Sequence, residues 1–251
     1  LGLSAYDLFH RLPQRRHRWL AASDLGQSSS ACQPPTRHGC FSYWDGILDD
    51  ARLTVETVLA ARTSGAHCLN YAEVNNLERD SGGIYNAYWH DRVSGCDEQL
   101  RTRTVINCTG PWAASFTERA GYTARTGLCH SRGTHVLFSH KWDGPALFLP
   151  LVGQARYYFV WPHFAGTLVG TTEQRVDRVT DNPQPSTEEL REIFDRLARD
   201  LPGSPLVPEN AHYCFAGVRS LPLKGAGNSD PSRLSRKHIW EQSDGFFSLF
   251  G

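Results

Sequence analysis

The stretch Val105-Ile106-Asn107-Cys108-Thr109-Gly110-Pro111-Trp112 constrains this chain most. A β-branched start, a run of small residues and then Pro-Trp predict a strand that stops at Thr109-Gly110. A helix from Trp112 to Ala120 is expected to follow. A strand that ends on Thr-Gly can bring backbone N–H groups close to a bulky ligand, because glycine puts no side chain in the way. The same turn also serves plain strand–helix packing, so its surroundings must decide its role.

Those surroundings alternate helix and strand. Asp49 or Asp50 caps a helix carrying Leu53, Val55, Val58 and Leu59 and stopped by Gly65. Cys68 to Val74, Ile84 to His90 and Leu100 to Cys108 are expected strands, separated by turns at Ser81-Gly82-Gly83 and Ser94-Gly95. The second half is richer in strands: Thr134 to Ser139, Ala146 to Val152, Tyr157 to Trp161, Thr167 to Gly170 and His212 to Ala216. One helix interrupts them, opened by the capping box Ser186-Thr187-Glu188-Glu189 and continued by Leu190, Ile193, Phe194, Leu197 and Leu201 at helical spacing. Part of a nucleotide-binding α/β domain followed by an α+β domain is the expected architecture. A chain of 251 residues is long enough for either one large or two smaller domains.

Composition removes several classes of function. Lys plus Arg equals Asp plus Glu at 26 each, which argues against a nucleic-acid face. No apolar run approaches the ~20 residues of a membrane-spanning helix, so any membrane contact is expected to be peripheral. The seven cysteines are scattered without a Cys-x-x-Cys pair and the 11 histidines are unclustered, which fits reduced thiols in a cytosolic setting and no metal site. Near the start lie an apolar segment (Leu3 to Leu12), the basic run Arg15-Arg16-His17-Arg18, and a Ser-rich stretch ending at Pro34-Pro35. The basic run can meet phosphates or acidic lipids, or form a solvated surface. The chain has no methionine and stops on Phe250-Gly251 in an expected strand, as a piece of something longer would.

Five signals occur in order: Tyr43-x-Asp45 before Asp49-Asp50-Ala51-Arg52-Leu53, Asn107 to Trp112, Arg132-Gly133-Thr134-His135, Gly170-Thr171-Thr172-Glu173, and Ala216-Gly217-Val218-Arg219. This order resembles the FAD-dependent, quinone-linked glycerol-3-phosphate dehydrogenases, from about Gly39 to Gly251 and more loosely before it. Two stretches of that family pattern are missing: its N-terminal Gly-x-Gly-x-x-Gly, which holds the FAD pyrophosphate, and the Gly-rich segment that would follow Gly251. Ser220 stands where the family usually has proline, and Glu173 replaces a frequent Asp.

The resemblance implies an incomplete FAD-binding Rossmann-like domain with a small β-meander over 1–110. An antiparallel-sheet substrate domain would span 111–240, and a return into the FAD-binding domain 241–251. It implies FAD contacts at Val74, Thr109, Gly110 and Gly251. Arg219 matches the family's active-site arginine and Arg236 a second cation; guanidinium forks suit the phosphate of glycerol 3-phosphate. His135 is the candidate base, since an imidazole titrates near neutrality, or else a hydrogen-bonded strand histidine that shapes the pocket. Thr171 and Thr172 are either hydroxyl donors to substrate or β-branched strand filler. Asp49, Asp50 and Arg52 read as a helix cap with an ion pair.

The implied partners are glycerol 3-phosphate and a membrane quinone. The parent enzyme would sit peripherally on the cytoplasmic membrane of a bacterium or the inner mitochondrial membrane of a eukaryote, with room for a homodimer. Two alternatives stand beside this: a related FAD-linked oxidase of an amino acid or 2-hydroxy acid, and a non-catalytic fragment that binds no flavin.

Overall fold

The computed structural model describes residues 2–9, 15–23, 39–154, 156–223, 234 and 236–251. The Ser-rich stretch with Pro34-Pro35, the end of the apolar segment at Leu12, and Ser235 lie outside the described residues. The chain divides into two compact units, one of residues 1–22 and 38–102 and one of residues 23–37 and 103–251.

The first unit holds a short helix α1 (Gly2–Phe9), an antiparallel pair of β1 (Arg18–Leu20) and β2 (Cys40–Ser42), and a helix α2 (Asp50–Thr63). The meander of β3 (Ala72–Arg79), β4 (Tyr85–Asp91) and β5 (Asp97–Thr102) completes it. Helix α2 begins where its caps say it should. The Asp49 carboxylate accepts the Arg52 N–H at 2.9 Å, and Arg52 pairs with Glu56 one turn on. None of its residues is buried. The strand expected from Cys68 starts instead at Ala72, after Tyr71 adopts a left-handed φ of 57° that breaks the extended backbone.

The strand expected over Leu100 to Cys108 is two strands. Its first part pairs with β4 in the meander; its second, β6 (Val105–Asn107), belongs to the other unit. There β6 runs parallel to β14 (Phe246–Phe250), which forms a hairpin with β13 (Ile239–Ser243). A 3₁₀ turn, Gly110–Trp112, leads from β6 into α3 (Ala113–Arg119).

The main sheet of the second unit is antiparallel and contains six strands. Long β7 (Leu128–Phe138) carries β12 (Ala211–Pro222) on one edge, while β10 (Gly166–Gly170) and β11 (Gln174–Val176) share the other edge in line. Beyond β10 come β9 (Tyr157–His163) and β8 (Leu147–Pro150).

Helix α4 (Thr187–Asp200) covers one face of this sheet. Ser186 Oγ accepts the Glu189 N–H, and Glu189 returns a carboxylate oxygen to the Ser186 N–H, closing the expected capping box. Ile193, Leu197 and Leu201 pack there with Val136, Phe138, Tyr158, Val160 and Val169 in one buried cluster. This cluster is the core of the unit, and its apolar burial is the main favourable term holding the sheet to the helix.

Candidate functional site

The face of the sheet away from α4 carries a transverse row of directly opposed residues: Phe148, Phe159, Gly170, His135 and Phe215, from β8 across to β12. Facing residues on neighbouring strands share a face, so the row is continuous. His135 stacks on Phe215 with ring centroids 5.2 Å apart. A Cβ at Gly170 would come within 2.3 Å of the His135 ring, so only glycine lets the imidazole lie over that strand. Tyr157 stacks on Phe148 at 4.2 Å, and Tyr213 lies beside Phe215. Phe148, Tyr157, Tyr213 and Phe215 are all exposed.

His135 Nδ1 is enclosed and has no hydrogen-bond partner, which leaves Nε2 as the nitrogen a ligand can reach. Burial pushes the His135 pKa below the ordinary imidazole value, because the charged ring would lose its hydration. Burial thereby favours the neutral form of the ring.

Arg219 follows Phe215 by four residues on β12, which returns it to the same face about 13 Å along the strand. Its side chain is 45% exposed and ion-pairs with Glu173 at 2.5 Å. The other Glu173 oxygen meets Arg156 Nε at 3.0 Å, and the Ser131 hydroxyl approaches the first oxygen at 3.3 Å. One carboxylate thus joins two arginines.

Thr172, one residue earlier, turns to the helix side. It is 1% exposed, its hydroxyl donates to Glu189 at 2.8 Å, and it accepts the Thr134 N–H at 2.9 Å. Glu189, with a fully buried side chain, also pairs with Arg132 at 2.8 Å. Burial alone would raise the Glu189 pKa, but the Ser186, Thr172 and Arg132 contacts together hold it below the usual carboxylate range. The pocket role expected for Thr172 is thereby replaced by a structural one, since its hydroxyl is spent inside the sheet–helix junction. Thr171 is half-buried and donates to the Thr172 carbonyl at 2.8 Å.

Asn107 organises the Thr109-Gly110 turn. Its buried carboxamide nitrogen has Ala113 O, Thr117 Oγ1 and Ser248 Oγ within hydrogen-bond distance for its two N–H groups, and its oxygen accepts from the Thr109 N–H and hydroxyl. The Thr109 hydroxyl therefore faces inward. Gly110 has φ +57° and no atom within 4 Å of where a Cβ would sit, so its backbone is open to a close-lying group. The turn itself lies against β12, the strand that carries Arg219.

The remaining expected residues are spread out. Val74 is half-buried in the third position of β3, opposite Trp89, with a bulge following it. Arg236 is exposed ahead of β13, and Gly251 follows β14 with φ +136°. Sequence reasoning missed the aromatic row, Arg156, and the bridging role of Glu173. The alternating aromatics Tyr157, Phe159 and Trp161, and Tyr213 and Phe215, carried the available signal for the row.

The sheet thus has one helix-covered face and, on the other, a histidine and an arginine, with a Gly turn packed against the strand that carries the arginine. The chain belongs to the FAD dependent oxidoreductase family, which it matches over residues 3–251. More particularly, it is 28% identical over 272 aligned residues to a glycerol-3-phosphate dehydrogenase of Synechocystis sp., covering all of this chain and 48% of that protein. It is 26% identical to the aerobic glycerol-3-phosphate dehydrogenase of Bacillus subtilis, covering all of this chain and 45% of that protein. The chain thus spans about half the length of the curated relatives it matches.

Among solved structures it resembles the glycerol-3-phosphate dehydrogenase of Bacillus halodurans complexed with FAD. That match has a TM-score of 0.76 and 22% identity, over 92% of this chain and 44% of the other. A glycine oxidase of Bacillus cereus shares the fold at a TM-score of 0.66 and 16% identity, over all of this chain and 63% of the other. Among the described residues no helix is long and apolar enough to cross a membrane.

Proposed function

We propose that this chain supplies the substrate-facing sheet, and part of the cofactor-holding region, of an FAD-dependent glycerol-3-phosphate dehydrogenase. The observation that carries the reading is the placement of Arg219 on the same sheet face as His135, on a strand against which the Gly110 turn packs. In this reading Gly110 and Gly251 offer backbone atoms to FAD. Thr109 shapes the turn through Asn107. Bound FAD supplies the hydride acceptor for oxidation of a secondary alcohol.

The chain's own residues do the rest. Arg219, with Arg236 as a second cation, binds the phosphate of sn-glycerol 3-phosphate through charge-assisted hydrogen bonds. The aromatic row forms a wall that excludes water from the reacting carbon. His135 meets the substrate hydroxyl at Nε2. Taking the proton there needs the ring hydrogen on Nδ1, where no acceptor lies within reach; the other tautomer donates a hydrogen bond instead. Thr171 can accept a further hydrogen bond. The product is dihydroxyacetone phosphate, and the electrons pass to a membrane quinone, with the whole enzyme held peripherally at the membrane.

The test is absorbance of the purified chain after incubation with FAD and desalting. A retained flavin band bleached by glycerol 3-phosphate, and not by glycerol, glycine or lactate, supports the reading. Bleaching by glycine or lactate assigns the site to a carboxylate substrate. A chain that retains no flavin and binds glycerol 3-phosphate no better than glycerol overturns it.

A further inference from the structure

We infer that Glu173 holds Arg219 against incoming anions and so sets how tightly this face binds a phosphate monoester. The inference rests on the reading of Arg219 as a phosphate ligand and adds an opposing group to it.

Three observations carry it. Arg219 is the solvent-accessible member of the pair, whereas the Glu173 side chain is largely enclosed, so the carboxylate is the fixed partner. Arg156 and Ser131 pin that carboxylate from other directions, which keeps it from swinging away when a ligand arrives. Finally, the Glu173 carboxylate is in direct contact with the guanidinium that a phosphate would need. A dianion must share Arg219 with Glu173 or pull it away. The apparent affinity then falls by the fraction of time Arg219 is free.

This weakening has a chemical use. Glycerol 3-phosphate and dihydroxyacetone phosphate carry the same phosphate, so tighter binding of that group stabilises substrate and product alike. Such uniform binding lowers KM without raising kcat. An internal carboxylate keeps the arginine oriented while stopping the site from retaining its product. Glu173 is therefore a positioning residue that acts through Arg219.

The experiment titrates the 251-residue chain with inorganic phosphate by calorimetry at fixed ionic strength, beside Glu173→Gln, Arg219→Gln and the double variant. Glu173→Gln is expected to bind phosphate on the order of tenfold more tightly, because a neighbouring like charge is removed from a half-exposed site. Arg219→Gln and the double variant are expected to bind none. If Glu173→Gln binds equally or more weakly while Arg219→Gln still abolishes binding, the inference is overturned and the reading of Arg219 stands. Binding that survives Arg219→Gln, or no binding by any chain, overturns that reading and the inference with it.

Glu173 also anchors Arg156 and Ser131, so the unmodified chain provides a second readout that does not depend on a variant folding. Its Glu173 carboxylate ¹³C signal should shift in step with phosphate saturation. A signal that stays fixed at saturation overturns the inference.

Discussion

The two faces of the six-stranded sheet are built from the same strands and do different work. Toward α4, the side chains are enclosed: Val136, Phe138, Val160 and Val169 meet Ile193 and Leu197, and the polar groups Thr172, Arg132 and Glu189 bond to one another. On the other face, Phe148, Tyr157, Tyr213 and Phe215 stay exposed, His135 leaves one nitrogen unbonded, and Arg219 keeps much of its surface in solvent. The covered face spends most of its contacts internally, with Arg132 Nε, Thr134 Oγ1 and Arg196 Nη1 left without a partner among the described residues, whereas the other face keeps aromatic surface and a guanidinium open to a ligand. Substitutions should therefore separate into those that cost folding and those that cost chemistry.

The largest expected loss of stability is at Glu189. Glu189→Ala strands Arg132 and frees Thr172 in a buried junction, which should cost about 3–5 kcal/mol in urea unfolding. A loss below about 1 kcal/mol would break the distinction between the faces. On the other face, His135→Gln in the complete flavoenzyme should lower turnover by ~10²–10⁴-fold if the imidazole accepts the proton, with an unchanged urea midpoint. A glutamine that restores near-normal turnover would mean that His135 only donates a hydrogen bond.

Core packing gives the next contrast. Leu197→Ala should cost about 2–5 kcal/mol through lost burial and a residual cavity, whereas exposed Tyr213→Ala should stay within about 0.5 kcal/mol. Equal urea midpoints for the two variants would contradict the assignment of faces.

The smallest expected effect is on pH. Burial lowers the His135 and His130 pKa values, so the folded chain takes up their protons less readily than the unfolded chain. Their contribution to stability is full above the ordinary imidazole value of 6.5 and is lost as pH falls below it toward the lowered values. His135→Gln should flatten that slope in thermal melts between about pH 7 and 5; an unchanged slope would show that other groups set it.

Much of this was legible in the sequence where the signal is local. Asp49 and the Ser186–Glu189 box mark two helix starts because capping is settled within four residues. Strand extents were harder. Long β7 is expected only from Thr134, since Leu128 to Gly133 shows no alternation of apolar and polar residue types, although its burial alternates. Strand β12 extends six residues past the expected Ala216, held by its register with β7.

The site shows the same division. His135 and Arg219 stand out by residue type and motif, but the Glu173–Arg219 pair joins residues 46 apart and depends on β10 and β11 following each other along one edge of β7. The aromatic row requires the spatial order β8–β9–β10–β7–β12, which no local spacing contains.

The segment between β10 and β11 sends consecutive residues in opposite directions, Thr172 to the α4 capping box and Glu173 to Arg219. Its length is therefore under stricter control than its composition. Inserting a single residue between Gly170 and Thr171 would shift both by one position, taking the Thr172 hydroxyl out of the buried junction and the Glu173 carboxylate away from Arg219. Among relatives of this chain, substitutions should accumulate in this segment long before any insertion or deletion does.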